Sequence, residues 1–262
     1  MTAADLEGAT ELALERAAAV LGASRRVLVF TGAGLSTGSG IPDFRGPNGV
    51  WKRRQPVYFQ DFLASEDARI EHWDFKLESW DQFQLARPNA AHTAIVELER
   101  MGIVELLVTQ NIDGLHQDAG SDPARVVEIH GTNRWIVCLS CGERSQPGPW
   151  MEEFRRSRRS PRCGCGGPVK SATISFGQAM PEAEMERAFD AAARADAALA
   201  IGSTLEVQPA ALVPLAARRA GAPYVIVNRG DTAHDGVASV RLEGDCVELL
   251  PALVERVRAR RG

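Results

Sequence analysis

Short apolar runs alternate with longer amphipathic stretches along most of the chain. The runs are rich in valine, isoleucine and leucine, as is typical of strands that are buried on both faces of a parallel sheet. In the stretches between them, apolar residues recur at helical spacing. The pattern therefore predicts an α/β fold in which helices cover both faces of a parallel sheet. The predicted strands are Val27–Phe30, Val104–Thr109, Val126–Ile129, Ala197–Ile201, Tyr224–Val227 and Val237–Leu242, and the predicted helices are Asn89–Met101, Pro181–Arg194, Val207–Ala220 and Cys246–Arg260.

Two stretches interrupt this alternation. Residues 44–87 are rich in aromatic side chains, and the segment from Trp135 to about Ser171 holds four of the five cysteines together with many arginines and prolines. Neither stretch shows the regular strand and helix pattern of the rest of the chain. We expect both to be insertions that form a smaller lobe beside the sheet.

Four cysteines lie in two close pairs, Cys138-Leu-Ser-Cys141 and Cys163-Gly-Cys165. Four thiolates form the ligand set of a structural zinc site, and a complete set leaves no open position for catalysis at the metal. The alternative is a set of unrelated reduced thiols, whereas the isolated Cys246 is expected to be a small buried helix residue. The sequence therefore predicts a Rossmann-like parallel sheet domain with a smaller inserted zinc-binding and helical lobe. The predicted parts are the sheet domain at residues 1–43, 89–133 and 172–262, the helical and aromatic insertion with a cofactor loop at 44–88, and the zinc-binding module at 134–171.

The composition is that of an ordinary globular protein, with 262 residues, 45% hydrophobic residues and a net charge of −4. The acidic balance makes a nucleic-acid partner improbable, since nucleic-acid-binding domains usually carry a basic excess. An arginine-rich stretch, Phe154–Cys163, keeps open the alternative of a zinc module that binds nucleic acid or protein, although a solvated loop explains it more simply.

No apolar run is long enough to span a membrane. The first 22 residues have an amphipathic helical pattern with early acids, and they lack the basic start and apolar core of a signal peptide. We therefore expect a cytoplasmic protein with no membrane partner and with reduced cysteines.

Polar residues follow several of the predicted strands. Gly32-Ala33-Gly34 begins a dinucleotide-binding fingerprint, but Thr37 stands where its third glycine would be. Further polar segments follow other strands, at residues 109–116, 128–132 and 202–207 and at Asn228. Each segment alone could be a helix cap or a turn. Because ligands of open α/β sheets bind beyond the carboxyl ends of the strands, the coincidence favours one shared site.

Taken together, these motifs resemble the sirtuins, a family of NAD-dependent protein lysine deacylases. The resemblance runs from about Val27 to Leu250 and is carried by Gly-Ala-Gly-x-Ser and Gly-Ile-Pro-Asp-Phe-Arg, Gln-Asn-Ile-Asp-x-Leu-His, His-Gly, the paired cysteines and Gly-Ser-Thr-Leu-x-Val. It implies that NAD is consumed as a co-substrate and that acylated lysine on a protein or peptide is the acyl donor. The implied products are free lysine, nicotinamide and O-acyl-ADP-ribose, and deacetylation is the leading expectation.

The resemblance also implies residue roles. His130 would be the general base, and Asn111 and Asp113 would hold the ribose and the nicotinamide amide. Cys138, Cys141, Cys163 and Cys165 would bind a structural Zn²⁺, whereas His116 is expected to pack locally. The implied NAD-binding residues are Gly32, Ala33, Gly34, Ser36, Asp43, Phe44, Arg45, Gln110, Asn111, Ile112, Asp113, Gly202, Ser203, Thr204, Asn228 and Cys246.

Two departures from the family concern the substrate. The usual Phe-Gly-Glu appears here as Phe176-Gly177-Gln178. Residues 50–87 contain no Tyr-x-x-Arg pair of the kind that related desuccinylases use for acidic acyl groups, so a neutral acyl chain is expected. The alternative chemistry is that of an NAD-consuming ADP-ribosyltransferase or NAD glycohydrolase, in which another nucleophile or water replaces the acyl oxygen.

Overall fold

The computed structural model of the chain describes residues 3–46 and 49–262. Its helices are α1 (Ala3–Ala23), α2 (Phe59–Ala64), α3 (Glu66–Leu85), α4 (Ala90–Arg100), α5 (Leu115–Ala119), α6 (Pro147–Ser157), α7 (Glu182–Arg194), α8 (Leu212–Arg219) and α9 (Cys246–Arg261). Its strands are β1 (Val27–Thr31), β2 (Val104–Thr109), β3 (Val126–Glu128), β4 (Gly131–Cys138), β5 (Arg144–Ser145), β6 (Val169–Thr173), β7 (Ala197–Ile201), β8 (Tyr224–Asn228) and β9 (Val240–Glu243). Within the described residues, none of these helices combines the length and the apolar composition that a membrane crossing needs.

Six parallel strands form the main sheet in the order β3-β2-β1-β7-β8-β9. Alternate residues of β1 enter different cores, because successive side chains of a strand point to opposite faces. Val27 and Val29 pack with α1, α4 and α9 on one face, and Leu28 and Phe30 pack with α7 and α8 on the other. The predicted α/β fold with a doubly covered parallel sheet is confirmed.

The two insertions pack together as one smaller lobe. An antiparallel sheet, β5-β4-β6, carries α6 and contacts α3 of the aromatic insertion. The fully buried Trp73 of α3 donates a hydrogen bond from its indole nitrogen to the carbonyl oxygen of Val169, at 3.2 Å. The boundaries that the sequence predicts at residues 134 and 171 fall inside β4 and β6, so both strands continue from the sheet domain into the lobe.

One predicted helix and one predicted strand begin later in the structure than the sequence indicates. The helix predicted from Val207 begins only at Leu212, because Pro209 disfavours helical geometry in the preceding residue. The strand predicted from Val237 begins at Val240, since residues 235–237 form a short 3₁₀ turn. The glycine loop after β1 forms two 3₁₀ turns, which agrees with the absence of a regular helical pattern there.

Candidate active site

A cleft of about 690 Å³ lies at the carboxyl ends of the parallel strands, between the main sheet and the smaller lobe. The structure brings almost all the predicted site residues to its wall. Ser36 and Asp113 are the exceptions, since they are hydrogen-bonded to each other beside the cleft without lining it. The predicted residues that line the cleft are Gly32, Ala33, Gly34, Asp43, Phe44, Arg45, Gln110, Asn111, Ile112, His130, Gly202, Ser203, Thr204, Asn228 and Cys246.

The glycine loop after β1 packs directly on the backbone after β7. A Cβ atom on Gly32 or Gly34 would lie 2.8 or 2.9 Å from the carbonyl oxygen of Gly202, closer than carbon and oxygen can approach. The amide of Gly34 donates to that same oxygen at 2.8 Å, and the amide of Gly32 donates to Ile201 at 3.0 Å. These two amides are therefore engaged within the chain. A side chain at position 32 or 34 would collide with the backbone after β7, so the packing of this loop requires glycine at both positions.

Ser36 connects the glycine loop to the polar segment after β2. Its hydroxyl donates to Asp113 Oδ2 at 2.7 Å and accepts from Asn111 Nδ2 at 3.1 Å. The second carboxylate oxygen of Asp113 accepts a hydrogen bond at 2.9 Å from the amide of Leu115, the first residue of α5. Burial raises the pKa of Asp113, and the hydrogen bonds from Leu115 and Ser36 oppose that rise. The network fixes the amide of Asn111 at the cleft wall.

The segment after β2 is also joined to the loop after β7. Gln110 Nε2 donates to Ser203 Oγ at 2.8 Å, and Ser203 in turn accepts from the amide of Leu205 at 3.1 Å. Leu205 has a left-handed φ of 58°, an uncommon conformation for a residue with a branched side chain. Together with the bonds of Ser36, these bonds connect the segments that follow β1, β2 and β7 around the cleft.

His130 is half-buried at the cleft wall, directly before β4. Its Nδ1 lies 3.2 Å from the carbonyl oxygen of Gln110. Because a carbonyl oxygen only accepts, Nδ1 carries the proton, and Nε2 is left as the basic nitrogen. Burial lowers the pKa of His130 and the charge of Arg45 adds to this, whereas the bond to Gln110 opposes it. His130 is thus neutral at neutral pH and suited to accept a proton.

The four clustered cysteines converge in the smaller lobe. Their sulfur atoms all lie within 4.8 Å of one another, with Cys138 and Cys165 at 3.5 Å and Cys141 and Cys163 at 3.8 Å. Four sulfurs about 2.3 Å from one tetrahedral ion would be separated by just under 4 Å. The donor set and its spacing therefore fit zinc.

Two residues outside these networks behave as expected. His116 is buried, and its Nε2 lies 2.9 Å from Thr31 Oγ1, so it packs locally and does not line the cleft. Cys246 is buried at the start of α9, where its thiol donates to the Gly34 carbonyl oxygen at 3.4 Å. Burial raises the pKa of this thiol to about 11, which agrees with a packing role for the sulfur.

A model of the Sir2 family matches residues 32–209 of the chain. The chain belongs to the Sir2 family. It is 43% identical, over 92% of its length and 95% of the relative, to NAD-dependent protein deacetylase 1 of Bradyrhizobium diazoefficiens. A solved structure of a Sir2 variant with a deacetylated p53 peptide and 3′-O-acetyl-ADP-ribose is 35% identical, with a TM-score of 0.86 over 92% of this chain and 97% of that one. The structure of Sir2Af2 with a myristoylated histone peptide is 37% identical, with a TM-score of 0.78 over 96% and 98%.

Family membership confirms the sirtuin resemblance, but this Sir2-family chain also lines its cleft with residues that the motifs did not single out. Trp51 stacks on Phe44 with ring centroids 5.2 Å apart and contacts Phe75 and Phe176 at 5.7 and 6.0 Å. We call these four side chains the aromatic wall. His72 and Lys76 of α3 line the same cleft. His72, Phe75 and Lys76 are spaced i, i+3 and i+4, which places all three on one face of α3. This spacing is visible in the sequence and could have identified them.

Proposed function

We propose that this chain is an NAD-dependent protein lysine deacylase. The observation that carries the proposal is His130, whose basic Nε2 belongs to the cleft that also holds the glycine loop and Asn111. Sequence relatives named as NAD-dependent protein deacetylases support it, as does the related structure that holds a deacetylated peptide and acetyl-ADP-ribose. Acetyl-lysine peptides are accordingly the first substrates to test.

In the proposed reaction, the bond between nicotinamide and ribose breaks and the acyl group moves from lysine to ADP-ribose with consumption of one water. His130 Nε2 takes a proton from a ribose hydroxyl, while the bond from Nδ1 to Gln110 keeps the ring oriented. Asn111 binds the ribose or the nicotinamide amide. Asp113 positions Asn111 through Ser36, because both of its oxygens are already engaged.

In this proposal, Asp43, Phe44 and Arg45 close over the bound cofactor. Phe44 contributes to the aromatic wall, and Arg45 Nε lies 3.7 Å from a carboxylate oxygen of Glu206, in the loop that follows β7. Asn228 and Cys246 also line the cleft, and we propose that the adenosine half of NAD binds there. The paired cysteines would hold a zinc ion that stabilises the smaller lobe and takes no part in the chemistry.

The experiment that tests this function incubates the full chain with NAD and an acetyl-lysine peptide and measures the products by mass spectrometry. We expect nicotinamide, deacetylated peptide and O-acetyl-ADP-ribose in equal amounts, with no reduced cofactor. The same peptide with an unmodified lysine is the control. Nicotinamide release that does not depend on the acylated peptide would instead indicate an ADP-ribosyltransferase or NAD glycohydrolase.

A further inference from the structure

Three basic side chains, His72, Lys76 and Lys170, are buried close together at the smaller-lobe side of the cleft. They are 7, 8 and 1% exposed, and none of them pairs with a carboxylate among the described residues. Gln178 lies beside them, with Oε1 3.5 Å from Lys170 Nζ. Because the Gln178 side chain is a neutral amide, it does not neutralise the basic cluster.

The hydrogen-bonding capacity of the cluster is unequally used. Lys170 donates to the carbonyl oxygens of Ser171 and Thr173 and also approaches Gln178, so its three donors are all engaged. Lys76 Nζ has one hydrogen bond, to Asn133 Oδ1 at 2.9 Å. His72 Nε2 is buried and has no hydrogen-bond partner among the residues that the structure describes. Lys170 is thus a structural residue, whereas His72 and Lys76 can still donate to a ligand.

Backbone contacts place this free capacity next to the candidate catalytic residues. Asn133, which holds Lys76, donates its amide to the carbonyl oxygen of Ile112 at 2.8 Å. Ile112 itself lines the cleft beside Asn111. His72 and Lys76 flank Phe75 on α3, and Phe75 belongs to the aromatic wall. A substrate side chain bound along the aromatic wall would therefore contact apolar rings along its length and basic groups at its end.

The electrostatics of the cluster favour an anion over a neutral group. Burial and the neighbouring Lys170 lower the pKa of Lys76 to about 7. Burial, Lys76 and Lys170 likewise hold the pKa of His72 well below its usual value. A bound carboxylate would offset the desolvation of these groups and supply the acceptor that His72 Nε2 lacks.

We propose that His72 and Lys76 bind the terminal carboxylate of a short dicarboxylic acyl chain on the substrate lysine. This inference rests on the proposed deacylase function and replaces the expectation of a neutral acyl chain. That expectation considered only a Tyr-x-x-Arg pair. A histidine and a lysine one helical turn apart supply equivalent donors from the same stretch of chain.

The test uses the full chain with NAD and one peptide sequence that carries butyryl-lysine or succinyl-lysine, two acyl groups of equal carbon number that differ in the terminal carboxylate. Mass spectrometry gives kcat/KM, and fluorescence anisotropy gives the peptide Kd without turnover. We expect the succinyl peptide to be preferred about 10- to 100-fold by both measures, because charge-assisted hydrogen bonds contribute free energy of this size.

Two variants test whether the basic cluster is responsible: Lys76→Met and His72→Gln should each remove most of this preference. Arg156→Met, which removes an exposed positive charge outside the cleft, should keep it.

The two proposals fail in different ways. Equal or stronger binding and turnover of the butyryl peptide by the wild-type chain would overturn the inference while leaving a deacylase. A succinyl preference that survives both variants would show that other residues recognise the carboxylate. Absence of turnover with every acylated peptide would refute the proposed function, and the anisotropy measurement would still decide whether the cluster selects a carboxylate. Thermal melting identifies any variant that has lost its fold, in which case the other variant decides.

Discussion

The Ser36 hydroxyl donates a 2.7 Å hydrogen bond to the Asp113 carboxylate, which joins the loop after β1 to the segment after β2. Ser36 also accepts from the side chain of Asn111. Asp113 does not line the cleft, so its influence on a bound substrate passes through these two residues. A change at Asp113 should therefore alter the chemistry at Asn111 more than it alters the shape of the cleft.

We predict that Asp113→Asn lowers nicotinamide release about 100-fold, because preorganised polar groups act mainly on the transition state. The affinity for NAD should change far less, since most of the cleft wall stays in place. Single-turnover nicotinamide release and calorimetric titration with NAD measure the two effects, with the exposed Asp61→Asn as a control. Equal losses in rate and affinity would assign Asp113 to ground-state binding instead.

His130→Ala should remove most deacylation and leave the fold and NAD binding nearly intact. Loss of a general base typically lowers the rate about 10²- to 10⁴-fold. In the wild-type chain, the base must be neutral, so kcat/KM should fall as pH decreases through the pKa of His130. Because burial lowers that pKa, the fall should occur below about pH 6.5, the ordinary value for histidine. A variant with near wild-type turnover, or a profile that does not fall on the acid side, would contradict this role.

The sequence predicts those parts of the structure whose signal is local. Apolar runs identified the six parallel strands, and polar residues at their ends identified the cleft. The sequence did not show why position 32 requires glycine, because the backbone that a side chain there would meet belongs to Gly202, which is distant in the chain. The insertion at 44–88 was expected to be helical, but the sequence did not predict the bounds of α3 within it. This helix packs on the smaller lobe through Trp73 and lines the cleft through Phe75, so its apolar residues do not follow one face.

The smaller lobe is held together by few apolar residues, and two of the clustered cysteines, Cys138 and Cys163, belong to its core. We predict that the chain binds one equivalent of zinc and that chelation lowers its melting temperature and activity together, because metal binding to such a site contributes folding free energy. Cys163→Ser should lose zinc, whereas Cys246→Ser should retain it. Elemental analysis and thermal melting check both points. Less than about half an equivalent of zinc in active, freshly purified protein would refute the site.

Acid should destabilise the chain through its buried histidines, and His92 offers the clearest test. His92 is fully buried, and burial lowers its pKa to about 4. The unfolded chain binds a proton at this residue below about pH 6.5. Between pH 6.5 and 4, the free energy of unfolding should therefore fall by about 1.4 kcal/mol per pH unit on account of His92 alone.

The variant that tests this must preserve the capping box of α4, in which His92 Nδ1 accepts from the amide of Asn89, and glutamine commonly fills this position. His92→Gln should keep the cap and reduce the slope of unfolding free energy against pH by that amount, whereas Thr93→Gln at the neighbouring exposed position should leave it unchanged. Urea unfolding at several pH values measures the slope, and an unchanged slope in His92→Gln would show that His92 titrates alike in the folded and unfolded chain.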